Sequence, residues 1–134
     1  GSTAWSLAFA PDGSERLAVG MDDGRVKVVH VPGGDKDTAP APAAGFDEAG
    51  AEVGSEGRPV YSVAWAPDGS ALVAAGGEDA VVVLKPEGET MWGVAGAKEA
   101  AHPQDINCAR FHPKDPTLVA TAGDDGTVRL WRLE

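Results

Sequence analysis

Residues 101–134 read AHPQDINCARFHPKDPTLVATAGDDGTVRLWRLE. A histidine, His102, stands near the start. A short apolar run, 106–111, comes next, followed by a turn holding Pro113 and Pro116. A second apolar run leads to Asp125-Gly126, a tight-turn signal because glycine takes positive φ at no steric cost. A third run with Val128 and Leu130 ends near Trp131. Short apolar runs bounded by such turns predict three antiparallel strands.

The same unit occurs twice upstream. AWSLAFAPDGS (4–14) is followed by RLAVGMDDGRVKVVHV (16–31), and VYSVAWAPDGS (60–70) by ALVAAGGEDAVVVLK (71–85). The third copy is INCARFHPKDP (106–116) with LVATAGDDGTVRLWRL (118–133). Phe9, Trp65 and Phe111 share one role; Pro11, Pro67 and Pro113 share another; Asp23, Asp79 and Asp125 share a third. Each series steps by 56 and then 46 residues. Three markers in register through both steps make the chain a row of repeats. Proline pre-sets φ and Asp bonds the backbone in the Pro-Asp-Gly turns at 11–13 and 67–69. The second unit has Asp79-Ala80 where the others have Asp-Gly, so its turn is expected to differ.

The links should supply a fourth strand to each unit. Residues 32–57, PGGDKDTAPAPAAGFDEAGAEVGSEG, are rich in Pro, Gly, Ala and acids. They read as a flexible link, with Phe46 marking a candidate outer strand. In the second link, TMWGVAG (90–96) reads as an outer strand. The third unit ends without one. The expected division is 1–31, link 32–57, 58–100 and 101–134.

These residues resemble the WD40 β-propeller family. The expected fold class is therefore all-β, with three WD40-type blades, an incomplete ring and a last blade lacking its outer strand. More narrowly, the stretches STAWSLAFAPDG (2–13), RPVYSVAWAPDGSAL (58–72) and HPQDINCARFHPKDPTLVATAGDDG (102–126) resemble the C-terminal three blades of the seven-bladed cytosolic iron–sulfur assembly adaptors. The resemblance covers most of the chain outside 32–57 and part of 86–100. It implies a non-catalytic scaffold in the cytoplasm, also nuclear, with the subunits of an iron–sulfur targeting complex as partners. It also implies a structural hydrogen-bond tetrad of His102, Thr121, Asp125 and Trp131. A buried Asp needs donors, an imidazole can link it to a hydroxyl, and an indole N–H can end the chain. Val29 and Lys85 stand at the tryptophan position of the other units, so neither has the full set.

Other chemistries are excluded or disfavoured by the residues. There is no run of about 18 apolar residues, so no transmembrane helix is expected. The net charge of −10 repels nucleic acid and anionic membrane. It favours basic or neutral partners, or serves solubility alone. One cysteine, Cys108, is too few for a disulfide framework or a cluster. It reads as a small buried hydrophobe, or as a transient contact to a cluster held by partner ligands. His30, His102 and His112 form no paired metal motif, so no metal and no cofactor are expected. Carboxylate pairs at Asp22-Asp23, Glu78-Asp79 and Asp124-Asp125 could mimic a glycosidase pair. Their recurrence in every unit argues for turn building.

Surface binding remains. The family's narrow top face implies candidate protein contacts at Trp5, Asp22, Tyr61, Glu78, Asp105, Asn107 and Asp124. Exposed aromatics beside carboxylates suit a peptide with basic and apolar groups. Trp5 and Tyr61 could equally pack between blades. Three blades do not close a ring, so open faces and an unpaired edge imply a fragment of a longer chain, a homo-oligomer, or complementation by a second chain carrying the missing blades, the last suiting the family best. A generic or self-assembling WD40 module, unrelated to iron–sulfur assembly, is the alternative function.

Overall fold

The computed structural model describes residues 3–31, 48–52, 58–77, 80–87 and 92–133. They form eleven strands in three antiparallel sheets, with no helix among the described residues. The first sheet is β1 (Ala4–Phe9), β2 (Arg16–Met21), β3 (Arg25–His30) and β4 (Glu48–Glu52), in that order. The second is β5 (Val60–Trp65), β6 (Leu72–Gly76), β7 (Val81–Pro86) and β8 (Trp92–Lys98). The third is β9 (Ile106–Phe111), β10 (Leu118–Gly123) and β11 (Val128–Arg132), which leaves β11 at an edge among the described residues.

Each sheet is a meander with its strands paired in sequence order, and the turns joining its first three strands are short. The Asp-Gly signals at 23–24 and 125–126 place Gly24 at φ 89 and Gly126 at φ 80. A side chain there would cost about 1–2 kcal/mol in the left-handed region. Strand β4 begins two residues after Phe46, which itself lies outside the described residues, and pairs with β3 from Arg25↔Glu52 to Val29↔Glu48. Strand β8 begins at Trp92 within the expected outer run; Thr90 and Met91 lie outside the described residues.

The sheets stack face to face around two cores. One joins the first and second sheets through Ala18, Val26, Val28, Val63, Trp65, Leu72 and Leu84. The other joins the second and third through Ala64, Val73, Val81, Val83, Ala109, Phe111 and Val119. Neither spans the first and third sheets. The interior strand β6 is buried at every residue, as a strand packed on both faces must be.

The register corrects the repeat as counted from sequence. Ala10 N–H donates to Arg16 C=O and His112 N–H to Leu118 C=O, six residues on, but Ala66 N–H donates to Ala71 C=O, only five on. The first turn of the second sheet is one residue shorter. Everything after it shifts by one. Asp22 N–H bonds Thr3 C=O and Asp124 N–H bonds Asp105 C=O, and the bond equivalent to these runs from Gly77 N–H to Pro59 C=O. Gly77, not Glu78, therefore stands at the place of Asp22 and Asp124. Glu78 and Asp79 lie outside the described residues. By the same shift, buried Leu84 rather than exposed Lys85 stands opposite Trp131, since Leu84 pairs with Leu72 as Trp131 pairs with Val119.

Candidate protein-interaction site

One edge of the row is built by three irregularities in equivalent places. The pairing of β1 with β2 skips Trp5, running from Ala4↔Met21 to Ser6↔Gly20. That of β5 with β6 skips Tyr61, and that of β9 with β10 skips Asn107. A bulged residue bends its strand and re-aims its side chain. Trp5, Tyr61 and Asn107 are therefore turned toward the same end of their sheets, where the turns into β3, β7 and β11 lie.

What each bulged side chain meets there follows from the register. The Trp5 indole N–H donates to the Asp22 carboxylate at 2.9 Å. The Asn107 amide donates to the Asp124 carboxylate. Tyr61 has only Gly77 at the matching place, and its ring packs edge-on against Trp5, centroids 5.3 Å apart. Trp5 remains 52% exposed, so it both packs across a sheet junction and presents surface. Asp22, Asn107 and Asp124 are exposed as well, and Asp105 is half-buried beneath Asp124. The structure thus brings together Trp5, Asp22 and Tyr61 at one junction. Asn107, Asp124 and Asp105 form a separate group on the third sheet. Asp23 makes a fork with the Arg25 guanidinium at 2.6 and 2.9 Å, closing its own turn.

A second cluster lies inside the third sheet. His102 is fully buried. Its Nδ1 is 3.0 Å from Asp125 Oδ1, and its Nε2 is 2.8 Å from Thr121 Oγ1. The Trp131 indole N–H donates to Thr121 Oγ1 at 2.9 Å. A neutral imidazole protonated at Nδ1 satisfies all three contacts: the indole donates to the hydroxyl, the hydroxyl to Nε2, and Nδ1–H to the carboxylate. Thr127 adds its N–H and hydroxyl to Asp125 at 3.2 and 2.8 Å. Burial pushes the Asp125 carboxyl up, but the Thr127 and His102 hydrogen bonds outweigh it and hold the group at about 2. Gly123 makes room: a Cβ there would lie 2.6 Å from His102 Nδ1 and 2.9 Å from Asp125 Oδ1. Among the described residues no cluster of three or more His, Cys, Asp or Glu could hold a metal.

Sequence reading missed the polar ties between sheets. Ser6 Oγ accepts the Val63 N–H at 3.1 Å, and Ser62 Oγ accepts the Ala109 N–H at 3.0 Å, so one serine clasps each junction. Arg16 lies over the Trp65 ring at 4.6 Å and the Trp92 ring at 5.5 Å, and donates to Gly69 C=O across the first junction. The repeated Ser at positions 6 and 62 was the only available signal for any of these.

The pattern of a WD domain, G-beta repeat, matches residues 1–30, 52–84 and 97–132. The chain belongs to the WD40 family. Its three sheets are WD40 blades, the fold class expected from the repeat. Curated relatives include a probable cytosolic iron–sulfur protein assembly protein CIAO1 homolog from Chlamydomonas reinhardtii, 33% identical over 98% of this chain and 42% of that protein. A similarly named protein from Aedes aegypti is 33% identical over 99% of this chain and 41% of its own length. The chain thus spans about two fifths of these relatives. The solved structure of Chaetomium thermophilum Sqt1, bound to the N-terminus of the ribosomal protein L10, superposes with a TM-score of 0.75 over 98% of this chain and 32% of Sqt1, at 23% identity. That likeness is one of fold.

Proposed function

We propose that this chain is part of a non-catalytic, cytoplasmic WD40 adaptor of iron–sulfur protein assembly, and that its bulged edge is where a protein partner docks. The observation that carries the docking site is the triple bulge, which turns Trp5, Tyr61 and Asn107 toward one end of the blades. The carboxylates of Asp22 and Asp124 are already oriented by their neighbours and still exposed. An extended segment crossing this edge would meet an acid beside an indole on blade one, a bare aromatic on blade two, and an acid beside an amide on blade three. A partner segment with two basic side chains flanking an apolar one fits that order. The adaptor role rests on the names of the relatives. Among the described residues the hydrogen-bonded carboxylates stand at turns, an arrangement that offers binding and turn closure. The His102 cluster is a structural tie of blade three.

The test is co-purification of the chain with the purified subunits of the iron–sulfur targeting complex, a small acidic assembly protein and a large helical-repeat protein. Trp5→Ala, Asp22→Asn and Asp124→Asn, separately folded by circular dichroism, are the controls. Binding by the parent chain, lost in these variants, supports both parts of the proposal. Binding that survives all three sinks the edge but keeps the adaptor. No binding by the parent chain sinks the adaptor.

A further inference from the structure

Resting on the bulged edge as the docking site proposed above, we infer that the docked segment carries an acidic side chain opposite blade two, between its two basic ones, and that Arg58 selects it. Arg58 stands one residue before Pro59, whose C=O holds the Gly77 N–H as those of Thr3 and Asp105 hold Asp22 and Asp124. Its guanidinium donates to Gly77 C=O at 2.9 Å, and the residue is exposed. Blade two packs against a neighbour on either side, so this end of it belongs to the middle of the row.

The charge along this edge alternates for a steric reason. Blades one and three present the carboxylates of Asp22 and Asp124. Blade two has no room for a third. A Cβ on Gly77 would lie 2.9 Å from Pro59 Cδ and 3.3 Å from Pro59 Cγ, inside the 3.5–4.0 Å at which carbons pack. A Cβ on Gly76 would run into the Pro59 C=O and lie 2.8 Å from Tyr61 N. Both glycines are thus pinned against the start of β5, and the acid's place is filled from the side by the Arg58 guanidinium. Arg16, Arg25, Arg129 and Arg132 are each paired with an aspartate: Asp12, Asp23, Asp125 and Asp115. Arg58 caps a neutral carbonyl instead, and among the described residues it has no carboxylate partner. A guanidinium carries five N–H donors in a fork that fits a carboxylate two at a time. In a chain with 21 acids against 11 Lys and Arg, an arginine framed by two exposed carboxylates and paired with neither discriminates. It attracts a carboxylate, and it repels the run of basic side chains that a uniformly acidic edge would accept. An acidic residue beside the apolar one that meets Tyr61 gives the segment the order basic, apolar with acidic, basic.

The test uses three labelled synthetic peptides and fluorescence anisotropy. Each peptide has two lysines, spaced by glycines, around a phenylalanine whose neighbour is glutamate, glutamine or lysine. The glutamate peptide should bind the chain about fivefold tighter than the glutamine peptide, and that about fivefold tighter than the lysine peptide, the size of an exposed ion pair. Both ratios should shrink in about 0.5 M salt, where the screening length falls to a few ångströms. Arg58→Gln keeps a donor for Gly77 C=O and should bring the three affinities together. Arg58→Glu should invert their order. Both variants should keep the β-sheet circular dichroism of the parent, because the side chain they replace is at the surface. Asp22→Asn should weaken all three peptides alike, which fixes them to the edge. Equal affinities for the parent chain, or an order unchanged by Arg58→Glu, overturn the inference and leave the edge standing if Asp22→Asn still weakens binding. Peptides that do not bind, or bind regardless of Asp22→Asn, remove the edge and the inference together.

Discussion

At the scale of the residue, Thr121 is the hinge of the buried cluster, because its one hydroxyl serves both His102 and Trp131. Thr121→Val keeps the shape but leaves an imidazole nitrogen and an indole N–H without partners. It should cost about 1–3 kcal/mol in denaturant unfolding. A loss within error of zero would mean that the cluster reorganises or admits water. Asp125 sets a pH dependence. Its folded-state pKa of about 2 lies below the ordinary 3.8, so the carboxylate stabilises fully above about pH 4, and the contribution drains away as pH falls toward 2. Asp115, held at about 2 by the Thr117 hydroxyl and N–H and by Arg132, adds in the same window. The unfolding free energy of Asp125→Asn should therefore depend less steeply on pH between 4 and 2 than that of the parent chain; equal slopes would remove Asp125 from the acid response. These side chains were legible in sequence because the family pattern carries them. Their proton arrangement was not, because it depends on which nitrogen faces which oxygen.

At the scale of the element, the third blade is specified where β10 turns into β11. A glycine is needed at 123 by close approach. Gly123→Ala should lower stability by about 1–3 kcal/mol through overpacking against His102. In a His102→Ala background the same change should cost much less, and a double-mutant cycle measures the difference. Additive losses would show that His102 is not the obstacle. Turn chemistry also explains what sequence counting got wrong. A residue fewer between Trp65 and Leu72 moves every later position of blade two by one. Such a slip is invisible while both Pro-Asp-Gly turns look alike. Inside a buried sheet it cannot be absorbed gradually, because a one-residue change of register reverses the side-chain faces. Gly77 and Leu84 thus take the places that counting assigns to Glu78 and Lys85.

At the scale of the whole molecule, blades are held by apolar stacking with a few polar ties. Arg16 is the tie with most partners. It bonds Asp12, Ser14 and Gly69 while covering Trp65 and Trp92, which meet edge-on at 5.5 Å. Arg16→Ala should destabilise the chain by about 1–2 kcal/mol and change the near-ultraviolet circular dichroism of the tryptophan pair. An unchanged spectrum would mean that the indoles hold their angle without the guanidinium.

The sequence by itself determined the repeat, the all-β class and the Asp-Gly turns, each of them local chemistry: alternation, β-branching, a glycine at positive φ. The members of the His102 cluster came with the family resemblance. Only the tertiary structure decided which side chains reach the bulged edge and which serine clasps which blade. Those depend on strand register and on contacts between residues about 50 positions apart. A register is chosen by the summed packing of two sheets, and no single residue states it.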